Sequence, residues 1–173
     1  MEAARHARPS DLEAIAVLAT EARDELEQLR GGDVWRLQSA RTDPIAVSLG
    51  HALERSAEEG LVVVGTVHEV VVGYGVSTIE VVGEGERLAV VTDLYTHPQA
   101  RGIGIGEAMM NLLIDHAVAT GALGIDSLAL PGDRATKNFF ETFGLKARAI
   151  VVHRSLLPAE GRTEETGAVD DSA

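Results

Sequence analysis

Thr92-Asp93-Leu94-Tyr95-Thr96-His97-Pro98-Gln99-Ala100-Arg101-Gly102-Ile103-Gly104-Ile105-Gly106 is the stretch on which the reading of this chain turns. An apolar run ends at Tyr95, a short polar turn follows, and glycines then occupy every second position. After Gly106 the pattern becomes helical, with Ala108, Met109, Leu112, Leu113, His116 and Ala117 on one side at three-to-four spacing. The order is strand, glycine-rich loop, helix. A helix start leaves about four backbone N–H groups without partners and carries roughly half a positive charge. Glycines in front of it let a ligand come down to the backbone. The combination suits phosphate. Arg101 stands at the mouth with a guanidinium that can pair with phosphate oxygens.

Three phosphate loops compete for this stretch. A P-loop requires Gly-x-x-x-x-Gly-Lys-Ser/Thr, and the chain has no such run. A dinucleotide fingerprint, Gly-x-Gly-x-x-Gly, is met by Gly102 and Gly104 but has Glu107 at its third glycine position. Asp126 lies about 20 residues further on, where that motif wants a ribose-binding acid, so a nucleotide-binding domain stays open as one reading. The third pattern is Arg/Gln-x-x-Gly-x-Gly/Ala, met by Arg101 to Gly106.

Asp-Leu-Tyr-Thr-His-Pro followed by Arg-Gly-Ile-Gly-Ile-Gly resembles the acyl-CoA loop of the GNAT superfamily of N-acetyltransferases. A second segment, Asp133 to Leu145, resembles that superfamily's "Asn, six residues, Tyr, then Gly-Phe" motif. The resemblance is strong from about Leu88 to Leu145 and weak before Leu61. It implies a mixed α/β fold. Its central sheet would be mostly antiparallel, splayed into a V between the strand ending at Tyr95 and one ending at Leu130, and flanked by helices. It implies acetyl-CoA as co-substrate, no metal, and an amine acceptor, either a small molecule or a protein. A homodimer is a family expectation.

The same resemblance distributes roles. Leu94, Tyr95 and Thr96 would run along the pantetheine as an added strand. Arg101, Gly102, Ile103, Gly104, Ile105 and Gly106 would hold the pyrophosphate. Asp133 and Asn138 fall at the pantetheine site, with Asp133 replacing the usual asparagine. Asp93 is the candidate catalytic base, or else a binder of the acceptor's cation. An attacking amine must be neutral while lysine-like amines titrate near 10.4. Glu80 and Glu107 are weaker bases, and Glu107 also complements the helix dipole. Phe140 stands where many members carry a tyrosine acid, and phenylalanine cannot donate a proton. The thiolate then leaves unassisted, Tyr95 or a water serves, or the domain binds acyl-CoA without turnover. That last option is a second function class, a non-catalytic sensor or interaction module.

The chain has 173 residues, enough for one core. Residues 1–157 read as one domain and residues 158–173, acidic and poor in large apolar side chains, as a disordered tail. With no cysteine, disulfide and thiolate chemistry are excluded. No apolar run approaches the roughly 20 residues of a membrane span, so the expected location is cytoplasmic and off the membrane. A formal net charge of −12 argues against nucleic acid. It fits a cationic acceptor drawn to an acidic cleft, as well as simple solubility.

Upstream, Ser10 or Asp11 is the expected N-cap of a helix buried along Leu12, Ile15, Leu18, Ala19, Ala22 and Leu26, and stopped by Gly31-Gly32. Trp35, the one tryptophan, is a candidate wall of the acceptor pocket or a cover for the helix end. A short helix is expected from Pro44 to about Ser56. Residues 61–67 and 70–79 read as adjacent strands, then residues 87–95, 125–130 and 147–154 as further strands, with helices over residues 104–120 and 136–143. His97 has a turn role or approaches the site, His116 reads as a satisfied core histidine, and none of the six histidines has metal-ligand spacing.

Overall fold

A computed structural model describes residues 2–156 of the chain. The expected tail, residues 158–173, lies outside the described residues. Five strands form one sheet in the order β1 (Glu2–His6), β2 (Gly60–Val67), β3 (Val70–Val82), β4 (Glu86–Thr96) and β5 (Ile125–Ser127). The first four are antiparallel neighbours and β5 joins β4 in parallel. Helices α1 (Leu12–Glu27), α2 (Gly32–Gln38) and α3 (Ile45–Leu53) precede β2, α4 (Ile105–Ala119) links β4 to β5, and α5 (Arg134–Thr142) follows β5. The mixed, mostly antiparallel sheet flanked by helices is the expected fold class.

The alternation of β2 shows how the sheet takes a helical layer on each face. Val62 and Val64 point into a core with Ile15 and Leu18 of α1, Leu49 of α3, and Tyr74 and Val76 of β3. Val63, between them, points the other way into Met109, Met110 and Leu113 of α4 and Phe140 of α5. The β2–β3 hairpin turns on His68 and Glu69, both left-handed (φ 48° and 67°), as a two-residue loop compatible with strand twist demands. Helix α4 lies close on the sheet because Gly65 has no side chain: a Cβ there would stand 2.3 Å from Ile105 Cγ2.

Two details of β4 shape the rest. Val76 faces Asp93 while Ser77 faces Val91, so Thr92 is an extra, bulged residue. The parallel ladder with β5 covers only Ala89–Ile125, Val90–Asp126 and Val91–Ser127. A bulge bends and twists its strand, and pairing stops where this one begins. The expected strand over residues 125–130 is therefore only three residues long.

The expected strand over residues 147–154 does not form among the described residues. Ile150, Val151 and Val152 are 85–89% exposed. Strand propensity alone does not hold a strand; it needs a paired neighbour. Arg148 nonetheless reaches Asp126 of β5, with Nε to both carboxylate oxygens at 2.9 Å. At the other end, Asp11 occupies the N-cap position of α1 but does not cap it. Its carboxylate instead accepts the Arg8 N–H at 2.7 Å and the Arg5 guanidinium at 2.7 and 3.0 Å. Among the described residues no helix is long and apolar enough to cross a membrane.

Candidate active site

Beyond Val91 and Ser127 the two parallel strands part, and the β5-facing edge of β4 from Thr92 to Thr96 has no strand partner. A cleft opens there. One wall is α1 and α2 with Ala22, Leu26 and Trp35; the other is Ser127 to Leu130 and α5 with Asp133, Thr136 and Phe140; Asp93, Leu94 and Tyr95 lie between them. Its open volume, including the part exposed to solvent, is about 810 Å³. Trp35, Asp93, Leu94, Tyr95 and Asp133, all picked from the sequence, thus converge on one cavity.

Thr96, Arg101 to Gly106 and Asn138 are not in that lining. The glycine loop adjoins the cleft at the end of β4, after the short turn Pro98–Ala100. Gly102 (φ 78°) and Gly104 (φ 87°) are left-handed, and a Cβ on either would meet nothing within 4 Å. Their conformation requires glycine, and the space above them is open. Among the described residues no acceptor is bound to the amides of residues 102–107, and the first such bond of α4 runs from Ala108 N to Gly104 O at 3.0 Å. This row of unmatched amides at a helix start fits a diphosphate. Arg101 is turned elsewhere. Its Nε donates to Thr96 O at 2.9 Å, its Nη2 to both Glu25 oxygens at 3.0 and 2.8 Å, and its guanidinium lies 5.4 Å over the Tyr95 ring.

Asp93 is heavily bonded. Arg41 grips it through Nε (2.9 Å) and Nη2 (2.6 Å), the Tyr74 hydroxyl donates to it at 3.1 Å, and Thr92 Oγ1 at 2.7 Å. Arg41 also donates from Nη1 to Ser48 Oγ at 3.2 Å. Burial, and then the negative Asp93 beside it, push the Tyr74 phenol well up, so it remains a donor. Burial and then the charges of Glu25 and Glu21 also raise Tyr95. Arg41 carries no local sequence motif. It comes from an irregular segment 52 residues before Asp93, and only the packing of α2 and α3 brings it in.

The lining itself is balanced, with Arg23 and Arg41 against Asp93 and Asp133, while Glu21 and Glu25 act on Tyr95 from nearby; of the two readings of the net charge, simple solubility fits this lining better. Asp133 caps α5, accepting the Thr136 N–H at 3.0 Å. Asn138 is exposed, and Lys137 pairs with Glu141 one turn on. Glu107 sits in the first turn of α4 and Glu80 on an exposed part of β3. His97 accepts the Gln99 N–H at 3.3 Å in the turn. His116 Nε2 lies 2.7 Å from Ala57 O, but its buried Nδ1 has no partner, so this histidine is only half satisfied.

A search of the curated proteins finds no match. Solved structures resemble the fold at low identity. A variant of the BH1408 protein from Bacillus halodurans superposes with a TM-score of 0.76 at 20% identity, covering 89% of this chain and 99% of that one. AAC(6')-Iy, in complex with the bisubstrate analog CoA-S-monomethyl-acetylneamine, gives 0.69 at 12%, covering 90% and 97%. The aminoglycoside acetyltransferase HMB0005 from an uncultured soil metagenomic sample gives 0.66 at 15%, covering 91% and 99%. The sequence itself matches the Acetyltransferase (GNAT) family over residues 12–145. Splayed sheet, glycine loop and sequence match agree, and the chain belongs to the GNAT acetyltransferase family.

Proposed function

We propose that residues 1–157 carry an N-acetyltransferase that moves the acetyl group of acetyl-CoA to an amine by direct attack. The observation that carries this reading is the parting of β4 and β5 after Val91 and Ser127, beside a row of amides without acceptors. Backbone groups of Leu94, Tyr95 and Thr96 pair with the pantetheine as an extra strand. The amides of Gly102 to Gly106 hold the diphosphate, with Arg101 sharing its charge between Glu25 and phosphate. Asp133 and Asn138 stand near the far side of the arm. Trp35 walls the acceptor pocket. Asp93 takes the acceptor's proton, directly or through water, a role typically worth ~10²–10⁴-fold. The sulfur leaves as a thiolate, which a thiol pKa near 8.5 allows without the tyrosine that Phe140 replaces. We place the reaction in the cytoplasm and expect a homodimer, for which the exposed apolar residues 150–152 offer contact area.

The test follows free thiol on incubation with acetyl-CoA and an amine panel. Turnover that Asp93→Asn abolishes, with acetyl-CoA affinity unchanged, is the expected result. A second reading, an acyl-CoA sensor, is favoured by Phe140 and by the grip of Arg41 on Asp93. Tight acetyl-CoA binding with no turnover on any acceptor would establish it instead.

A further inference from the structure

The cleft holds a closed ion pair where an acceptor must enter. Arg41 and Asp93 touch at 2.6 Å and each side chain keeps only 12% of its exposure. A simple cationic amine that took Asp93 would strip Arg41 of its counter-ion in a place poor in water. An anion that took Arg41 would do the same to Asp93. Leaving one member of a buried pair uncompensated is strongly unfavourable. A molecule with both charges meets neither penalty. Its carboxylate replaces Asp93 on the guanidinium fork, its ammonium replaces Arg41 on the carboxylate, and one internal pair becomes two intermolecular ones. Because the guanidinium and carboxylate are in direct contact, the two charged groups of the acceptor must lie on the same or neighbouring carbons. Ala22, Leu26 and Trp35 on the same side offer an apolar wall for its side chain.

We propose that the acceptor is a zwitterionic amine, an α- or β-amino carboxylate with an apolar side chain, and that Arg41 selects it by binding its carboxylate. This rests on the acetyltransferase reading above. The ammonium gives one proton to Asp93, which passes it to solvent. The neutral nitrogen then forms the amide bond as the C–S bond breaks. The electron pair of that bond leaves on sulfur, and the second amine proton ends there as the free thiol.

The experiment compares matched acceptors on the unmodified full chain: phenylalanine, phenylalaninamide and phenethylamine, then leucine with its amide and its decarboxylated amine, beside a wider panel of polyamines, aminoglycosides and lysine peptides. Free thiol is followed with acetyl-CoA saturating. The amino acids should exceed both analogues in kcat/KM by roughly 10–100-fold, the weight of charge-assisted hydrogen bonds. Arg41→Gln should bring that ratio near one while acetyl-CoA affinity, which also reports folding, is unchanged; Arg41→Lys should keep part of it. Equal or better turnover of the amide or amine by the unmodified protein overturns the inference without any variant. Transfer only to polyamines, aminoglycosides or lysine peptides overturns it and leaves the acetyltransferase reading standing. No transfer to any acceptor overturns both.

Discussion

Single side chains carry the sharpest tests. Gly104 is left-handed with open space over its α-carbon, so Gly104→Asp adds a carboxylate that clashes with nothing in the protein. It costs about 1–2 kcal/mol of backbone strain and leaves the fold standing. Against a diphosphate it is decisive, because like charges ~4 Å apart at an effective dielectric near 20 repel by about 4 kcal/mol. Calorimetry should show acetyl-CoA affinity falling by about 100-fold or more; unchanged affinity in a folded variant removes the diphosphate from this loop. Asp11 tests a structural pair. The Arg5 guanidinium, against the cost of burial and helped by the Arg8 N–H, holds its carboxyl below the usual range. The folded state therefore binds that proton less tightly than the unfolded chain, whose value is about 3.9. Its stabilisation is fully present above that pH and disappears as pH falls through the lower, folded value. Asp11→Asn should cost about 1.5–3 kcal/mol at pH 7, the weight of hydrogen bonds to a charged group, and flatten the acid limb of a stability–pH curve measured by denaturant titration. A parallel acid limb in the variant would assign the pair no role.

Between elements, the fit of α4 on β2 and the tie from α1 to the glycine loop behave differently. Gly65→Ala forces a methyl onto Ile105 and Met109, where overpacking costs about 1–3 kcal/mol. Melting should drop by about 2–4 °C for each kcal/mol, and a melting point that does not move would mean α4 shifts freely. The Glu25–Arg101 bridge is nearly half exposed on both sides, so it contributes about 0–1 kcal/mol. Glu25→Gln should leave melting nearly unchanged. It also removes a negative charge and frees a guanidinium beside the proposed diphosphate site, so acetyl-CoA should bind several-fold tighter, and less so as salt is added. Weaker binding would mean that Arg101 acts by tying α1 to the loop. The strand expected at residues 147–154 belongs at this level too. Its β-branched residues mark a preference, but the decision depends on a partner strand, and Arg148 bonds Asp126 of β5 by its side chain and not through a ladder.

Across the whole molecule, charge and topology govern access. The chain carries a formal −12 while its cleft is balanced, so acetyl-CoA, a polyanion, is repelled at long range and not at short range. Association should quicken as ionic strength rises from about 0.01 M, where the Debye length is about 30 Å, to 0.15 M, where it is about 8 Å. Stopped-flow rates independent of salt would show that the distant charge has no influence on entry. The strand–loop–helix order, the glycines and the later Asp133–Leu145 segment were legible in the sequence because each depends on residues close along the chain. Backbone conformation, helix starts and amide spacing are local properties, and they already contain the row of amides without acceptors at the start of α4. The ion pair in the cleft was not legible. Arg41 reaches Asp93 across 52 residues, and the bulge at Thr92 ends the β4–β5 ladder through pairing with strands distant in sequence. Net charge left the character of the cleft open because a sum over the chain says nothing of where the charges are placed. Sequence by itself determined the family and the glycine-rich loop at a helix start; tertiary packing alone decided that the cleft carboxylate of Asp93 is shared with Arg41, since only folding brings those two charges within contact distance.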